Sequence, residues 1–342
     1  RFYLTPHSRT KPRSCTCQPV ASACPPIVPD ARNDARNPPT HVQICAIRGQ
    51  FPSSSFRVLR VFRGHLRSMN KSEISHILAS AGLRPQHHFG QNFMIDQNIL
   101  AAIADSGDIH PTDLLLEIGP GVGNLTRLLA TRAPQGHVLA VDIDSKLLPA
   151  AKRHHQDLAN ITWLNTDALA GKHELDPTLI ATLRDLHAKY PQSALKLVSN
   201  LPYNAASPLI ANLLMFMWHE AHPTDSGLRT QDSGLLFSRL AFTVQHEVAL
   251  RMASPPDSRD YGPLGILIQS LASVEILRKI PPGAFWPPPK IHSALVLITP
   301  SLEKIRALPH APALQKLLQG LFSHRRQTLS NALKHHLRES FT

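Results

Sequence analysis

Six consecutive residues, Ser199-Asn200-Leu201-Pro202-Tyr203-Asn204, carry the most specific chemistry in the chain. The Asn200 amide oxygen and the Leu201 backbone carbonyl can accept two hydrogens from an amine. The Tyr203 ring can hold a planar base, and Pro202 fixes the shape of the loop. A second cluster is Glu117-Ile118-Gly119-Pro120-Gly121-Val122-Gly123. Glycines there let the backbone turn sharply and approach a ligand closely, and a helix opening after them offers unpaired N–H groups. Asp142 follows 23 residues after Gly119, where a carboxylate at a strand end can accept both hydroxyls of a ribose. Asp167, in Asn165-Thr166-Asp167-Ala168-Leu169, can accept from the exocyclic amine of an adenine.

Each feature also has a plainer reading. Any tight strand-to-helix turn can use glycines, Asp142 and Asp144 suit a solvated strand end or a helix cap, and Asp167 suits a turn. Two acids after successive strands would also serve a dinucleotide dehydrogenase. Hydride transfer, however, has no use for the Asn200–Tyr203 set, so that loop decides for chemistry on an amine.

These residues need a scaffold that ends several strands at one place. From Met69 onward the pattern supplies it. A helical stretch Ile74 to Ala81, with Ser72 and Glu73 before it, ends at Gly82. An apolar strand, Leu114–Ile118, runs into the glycine turn and a helix, Asn124–Thr131. A strand His137–Val141 leads to Asp142 and Asp144, and a helix follows from Ser145. Ile161–Leu164, Leu195–Val198 and Ala294–Ile298 read as further strands. Strands alternating with helices predict an α/β domain with a mostly parallel sheet covered on both faces. Residues 218–234, polar with Pro223 and two glycines, read as an insertion in a loop, and residues 301–342 as helical and basic, with 7 Lys+Arg against 2 acids.

The net charge of +12 suggests a polyanionic partner, but it is unevenly placed. Residues 1–68 hold 11 Lys+Arg against 2 acids and therefore supply +9, leaving only +3 for the body. That first segment also holds nine of the 30 prolines and no sustained apolar period, so it reads as disordered. Two accounts fit it, and a first residue of Arg1 rather than Met suits both: an extension upstream of a true start at Met69, which is weighted above the other, or an organelle transit peptide. All four cysteines (Cys15, Cys17, Cys24, Cys45) lie there at spacings unsuited to zinc, and no metal site is expected. No run of 18 or more apolar residues appears, so no membrane partner is expected.

The Asn200–Tyr203 loop is of the Asn-Pro-Pro-Tyr type used by amino-methyltransferases. With it, the glycine loop, Asp142 and Asp167, further stretches resemble the ribosomal RNA adenine dimethyltransferase family. These are Phe89-Gly-Gln91-Asn92-Phe93-Met94, Gln245-His-Glu247-Val-Ala-Leu-Arg251, Tyr261-Gly262, Phe285-Trp-Pro287-Pro-Pro-Lys290 and Arg325-Arg326-Gln-Thr-Leu329. They occur in family order from about Met69 to about Leu337, and the resemblance is strongest to the bacterial enzymes of the small ribosomal subunit. It implies a Rossmann-like class I methyltransferase with a seven-stranded, mostly parallel sheet at 69–300, plus a small C-terminal helical domain at 301–342. The implied cofactor is S-adenosyl-L-methionine, and the implied partner is small-subunit ribosomal RNA within an immature small subunit. A cytoplasmic monomer is expected, or a mitochondrial one if residues 1–68 are a transit peptide.

The resemblance also implies a division of labour. Asn92 and Met94 border the methionine end of the cofactor, Gly119 lies beneath it, and Gln91 and Gly121 also belong to the cofactor's site. Asp142 holds the ribose and Asp167 the adenine amine. Asn200 sits between cofactor and substrate and, with the Leu201 carbonyl, engages the target N6. Pro202 shapes the loop, Tyr203 stacks on the extruded base and Phe285 closes its other face. Lys290, Arg325 and Arg326 are the expected phosphate contacts. Departures from the family pattern are His87 and His88, where a cation is usual before Phe89, Asp142 where Glu is common, and a helical domain that looks incomplete at Thr342. His246-Glu247 and His219-Glu220 lack the second histidine of a metal motif and are expected to be surface or helix residues.

Overall fold

The computed structural model describes residues 69–84, 91–171, 174–222, 234–323 and five positions between 327 and 333. The expectations placed on residues 1–68, on His87, His88 and Phe89, and on Arg325 and Arg326 lie outside the described residues.

Seven strands form the main sheet: β1 (Leu114–Ile118), β2 (His137–Asp142), β3 (Ile161–Asn165), β4 (Leu195–Asn200), β5 (Phe237–Gln245), β6 (Ala272–Ile280) and β7 (Ser293–Pro300). Their order across the sheet is β3-β2-β1-β4-β5-β7-β6. All are parallel except β7, which runs antiparallel to both its neighbours. The order reverses between β1 and β4. In an open α/β sheet the two loops leaving the strands on either side of such a reversal splay apart and leave a crevice beyond the strand ends. The glycine turn leaves β1 and the Asn200 loop leaves β4, so the topology alone brings them face to face.

Ten helices are described: α1 (Lys71–Ser80), α2 (Gln97–Ser106), α3 (Asn124–Arg132), α4 (Leu147–His154), α5 (Pro177–Lys189), α6 (Ala206–Ala221), α7 (His246–Ala253), α8 (Pro263–Leu271), α9 (Leu302–Ala307) and α10 (Ala311–Ser323). The central strands β1, β2 and β4 are buried along nearly their whole length because helices cover both faces. Along β1 the side chains alternate: Leu114, Leu116 and Ile118 join one cluster with Leu209, Ile210 and Leu213 of α6, while Leu115 joins another with Ile99, Leu100 and Ile103 of α2 and Leu125 and Leu129 of α3. That period of two sends Glu117 to the α2–α3 side, at the strand end that meets the crevice. Ile305, Ala311 and Leu318 carry α9 and α10 onto the α6 side of the same core.

The expected strands are all present, matched outright or extended by one or two residues at an end. Three expectations need correction. The first helix begins at Lys71 rather than Ile74, because Asn70 and not Ser72 caps it: Asn70 Oδ1 accepts from Glu73 N while the Glu73 carboxylate accepts from Asn70 N. The helix expected from Ser145 begins at Leu147, with Asp144 Oδ1 accepting from Lys146 N and Leu147 N. Residues 218–221 belong to α6, with Trp218 buried and its indole N–H donating to the Leu308 carbonyl, so the expected insertion does not begin at 218. His219 and Glu220 lie on α6, where Glu220 pairs with Arg184, and His246 and Glu247 open α7.

Candidate active site

One cleft lies at the carboxyl ends of β1, β2, β3 and β4. It is lined by Gln91, Asn92, Met94, Gly119, Gly121, Asp142, Asp167, Asn200, Leu201, Pro202, Tyr203 and Phe285, together with Glu117, Phe93, Ile143, Thr166 and Asn204. All twelve residues expected at the cofactor and the target base thus face one cavity. Lys290 does not line it; it is exposed on the segment between Phe285 and β7. Ile143, beside Asp142, is an exposed apolar residue at the cleft wall.

The glycine side is shaped by left-handed backbone. Gly119, Gly121 and Gly123 have φ of 71°, 57° and 85°, a region that costs other L-residues about 1–2 kcal/mol. A Cβ on Gly119 would come within 2.9 Å of the Pro202 ring, so only glycine lets the two loops approach this closely. Gly121 N–H donates to Asp142 Oδ2 (3.3 Å), and Asp144 N–H donates to Asp142 Oδ1 (2.9 Å). These bonds aim the Asp142 carboxylate at the cleft and stabilise its charged form. Burial outweighs them and pushes its pKa up to about 6. Asp144 is buried, caps α4 and accepts from the Gln91 amide (2.8 Å), which ties the entry segment to the corner around Asp142. Asp167 keeps the turn role as well: its Oδ1 accepts from Leu169 N–H (3.0 Å) while the residue lines the cleft.

Entry residues reach the cleft through a short antiparallel pairing of Phe93–Met94 with Phe285–Trp286, in which Met94 lies opposite Phe285. Alternation then turns Met94 and Phe285 into the α2 side of the core beside the cleft and leaves Trp286 stacked on Phe93 at 6.4 Å. Asn124, at the start of α3, holds this segment by accepting from Met69 N and donating to the Met69 and Met94 carbonyls.

On the opposite wall, the Asn200 Nδ2–H donates to the Asn92 carbonyl (3.3 Å), and Asn200 Oδ1 accepts from the Thr243 hydroxyl (2.5 Å). The Tyr203 hydroxyl shares a hydrogen bond of 2.6 Å with Ser293 Oγ. Thr243 and Ser293 are fully buried on β5 and β7. Neither was singled out from the sequence, since Thr243 lies two residues ahead of the Gln245–Arg251 stretch and Ser293 one residue ahead of the expected strand Ala294–Ile298.

Two further residues were missed. Glu117 is buried, its Oε2 has no hydrogen-bond partner among the described residues, and it borders the cleft. Burial pushes its carboxyl up to about 8, so it stays protonated at neutral pH. His155 follows α4 and lies under the glycine turn: its Nε2–H donates to the Val122 carbonyl (2.9 Å) and its Nδ1 accepts from Arg127 (3.2 Å). Arg127 is in turn held by both Asp157 oxygens. Burial lowers the His155 pKa to about 4, so the neutral ring that makes both bonds is the form present at pH 7.

Among the described residues no three His, Cys, Asp or Glu side chains converge as a metal site, and no helix is long and apolar enough to cross a membrane. A left-handed glycine turn, a strand-end carboxylate and a second strand-end acid at Asp167 around one cleft fit an adenosine-containing ligand, and the buried Glu117 carboxyl, whose Oε2 has no partner among the described residues, offers it a polar contact. The Asn200–Tyr203 wall fits an amine on a planar base.

The sequence profile of the family described as "Ribosomal RNA adenine dimethylase" matches residues 82–342. This chain belongs to that family. Similar proteins include the ribosomal RNA small subunit methyltransferase A of Alkaliphilus metalliredigens, 34% identical over 266 residues, covering 78% of this chain and 83% of the relative. The protein of the same name from Geobacter metallireducens is 36% identical over 254 residues, covering 74% and 82%. A dimethyladenosine transferase from Plasmodium falciparum superposes with a TM-score of 0.54 at 26% identity, covering 71% of this chain and 74% of that one. The 23S rRNA methyltransferase ErmE shares the fold, with a TM-score of 0.50 at 23% identity over 71% of this chain and 83% of its own. The dimethylase sheet, seven-stranded and mostly parallel, is the one expected from the sequence.

Proposed function

We propose that this chain transfers methyl groups from S-adenosyl-L-methionine to N6 of two adjacent adenosines in the 3′-terminal hairpin of small-subunit ribosomal RNA, giving N6,N6-dimethyladenosine. The observation that carries the reading is the single cleft in which the Asn200–Tyr203 wall faces Gly119, Asp142 and Asp167. The small-subunit target is supported by the names of the relatives, which match over about three quarters of this chain.

In this reading Asp142 accepts from the ribose hydroxyls of the cofactor, Asp167 from its adenine amine, and Gln91, Asn92, Met94, Gly119 and Gly121 border its methionine end. The cofactor, when bound, supplies an electrophilic methyl on a sulfonium. Adenine N6 is a poor nucleophile because its lone pair is delocalised into the ring. Asn200 Oδ1 and the Leu201 carbonyl accept its hydrogens and favour a pyramidal nitrogen whose lone pair is free to attack. The site contributes orientation and exclusion of water rather than a strong base. Extruding the base costs a few kcal/mol; stacking against Tyr203 and Phe285, at about 1–3 kcal/mol each, offsets that cost. Lys290, Arg325, Arg326 and the basic segment 301–342 would meet the phosphates, which dominate affinity for RNA. The reaction belongs where immature small subunits assemble, the cytoplasm or a mitochondrial matrix, and the enzyme acts as a monomer.

The test is methyl transfer from labelled cofactor by the full chain to undermethylated small subunits and, separately, to large-subunit RNA. Dimethyladenosine mapped to the small-subunit hairpin is expected. Label confined to large-subunit RNA would move the assignment to a resistance-type methylase, and RNA binding without transfer would make the chain a binding factor.

A further inference from the structure

Asn200 is the residue on which the proposed chemistry turns, yet an asparagine side chain can present either its oxygen or its NH2 to a substrate. The cleft contains the groups that settle this. The Asn92 carbonyl can only accept, so the Asn200 NH2 must face it, and Oδ1 is thereby directed to the other side. There the buried Thr243 hydroxyl donates to it. Thr243 is held opposite Asn200 by the parallel register of β4 and β5, and opposite Leu295 by the antiparallel register of β5 and β7. Its backbone therefore has little freedom. An amide oxygen has two acceptor positions; Thr243 fills one and leaves the other for the substrate.

The stoichiometry of dimethylation makes this arrangement matter unequally. An unmodified adenine amine carries two N–H groups and can orient the Asn200 oxygen and the Leu201 carbonyl by itself. After one transfer only one N–H is left, while a methyl group occupies the other position. The substrate then has half the means of holding the amide, and the protein must supply the rest. We propose that Thr243 is a positioning residue that keeps the Asn200 oxygen turned toward the target amine, and that its contribution falls mainly on the second methyl transfer. The proposal rests on the functional reading above. In each transfer the amine lone pair forms the new N–C bond, the methyl–sulfur bond breaks with its electron pair staying on sulfur, and the amine loses its proton to water.

The experiment compares wild type with Thr243→Val, which keeps the shape and removes the hydroxyl, and Thr243→Ser, which restores it. Single-turnover reactions on undermethylated small subunits are resolved into N6-methyl- and N6,N6-dimethyladenosine. Loss of one neutral hydrogen bond predicts that Thr243→Val slows the second transfer about three- to tenfold more than the first. Monomethyladenosine then accumulates, and Thr243→Ser returns the ratio to that of wild type. A readout independent of turnover is the side-chain amide signal of Asn200 in asparagine-labelled protein, assigned by its loss in Asn200→Ala. It is expected as one sharp pair in wild type and Thr243→Ser, and broadened by amide rotation in Thr243→Val. Thr243→Ala takes the place of Thr243→Val if that variant melts early.

A wild-type ratio of products in Thr243→Val, or an unchanged Asn200 signal, would overturn the proposal and leave the functional reading standing. Equal slowing of both transfers would also overturn it, since that is the mark of a merely structural role. Wild type that forms neither product would overturn the functional reading and this proposal with it.

Discussion

The two walls of the cleft are built by different means. In the wall proposed for the cofactor, the glycines and acids are placed largely by near neighbours: Gly119, Gly121 and Gly123 by their own φ angles, Asp142 by the Asp144 amide with a longer-range bond from Gly121, and Asp167 by the Leu169 amide. The target-side wall is positioned from far away in the chain. Asn200 is held by Asn92 and Thr243, and Tyr203 by Ser293, at separations of 108, 43 and 90 residues. A wall made of local turns survives as a motif, whereas a wall made of distant side chains exists only once the sheet has formed. The cofactor wall is therefore expected to tolerate substitution elsewhere in the sheet, and the target wall to feel changes in β5 and β7 that touch no ligand.

The largest effect that would sharpen this contrast is at Asn200. Asn200→Ala is expected to lower single-turnover methylation by about 10²- to 10³-fold, the scale of losing one preorganised polar contact in a reacting site. RNA affinity should stay nearly unchanged in a filter-binding titration; loss of RNA binding instead would place Asn200 outside the chemistry. Next is Tyr203→Ala, which should cost about 1–3 kcal/mol of target binding through lost stacking. It should raise KM for RNA while cofactor affinity, read by calorimetry, holds; a drop in cofactor affinity of the same size would merge the two walls into one.

Gly119→Ala runs the other way. Its Cβ would press on Pro202 at 2.9 Å from a left-handed backbone, so the variant should melt earlier by about 1–2 kcal/mol and bind the cofactor more weakly. The smallest expected effects are those of pH on the cofactor side. The Asp142 pKa is raised to about 6, so the charged carboxylate proposed to accept the two ribose hydroxyls becomes the major form only above that pH. Cofactor affinity of the free protein should rise as pH increases through about 6 and then level. Glu117 is protonated up to about 8 when folded and loses its proton near 4.5 when unfolded. The folded chain therefore binds more protons across that window, and this group's contribution to stability falls as pH rises from 4.5 to about 8. Glu117→Gln should flatten that part of the stability profile; an unchanged profile would show that Glu117 ionises freely.

Legibility in the sequence followed the same division. The strands with a motif at their carboxyl ends, β1, β2, β3 and β4, were read nearly to the residue, because an apolar run bounded by glycine, acid or Asn-Leu-Pro-Tyr leaves little choice. β5 and β6 were not read. β6 is exposed along much of its length at the sheet edge, and Arg239 and Ser238 break the apolar run of β5. Thr243 lies in β5, so the missed strand took the positioning residue with it. Glu117 was quoted as part of the glycine motif without a role, because only the alternation along β1 shows that it turns to the buried face beside the cleft. His155 was hidden for a similar reason: nothing near it in the sequence says that the end of α4 packs beneath the Val122 carbonyl.

The measurement that tests the account most directly is a crystal structure of the full chain with S-adenosylhomocysteine, the product form of the cofactor. The account predicts the ribose hydroxyls on Asp142, the adenine amine at Asp167 and the sulfur facing Asn200 across the cleft. A nucleoside bound elsewhere, or one whose sulfur is turned away from the Asn200–Tyr203 loop, would contradict it.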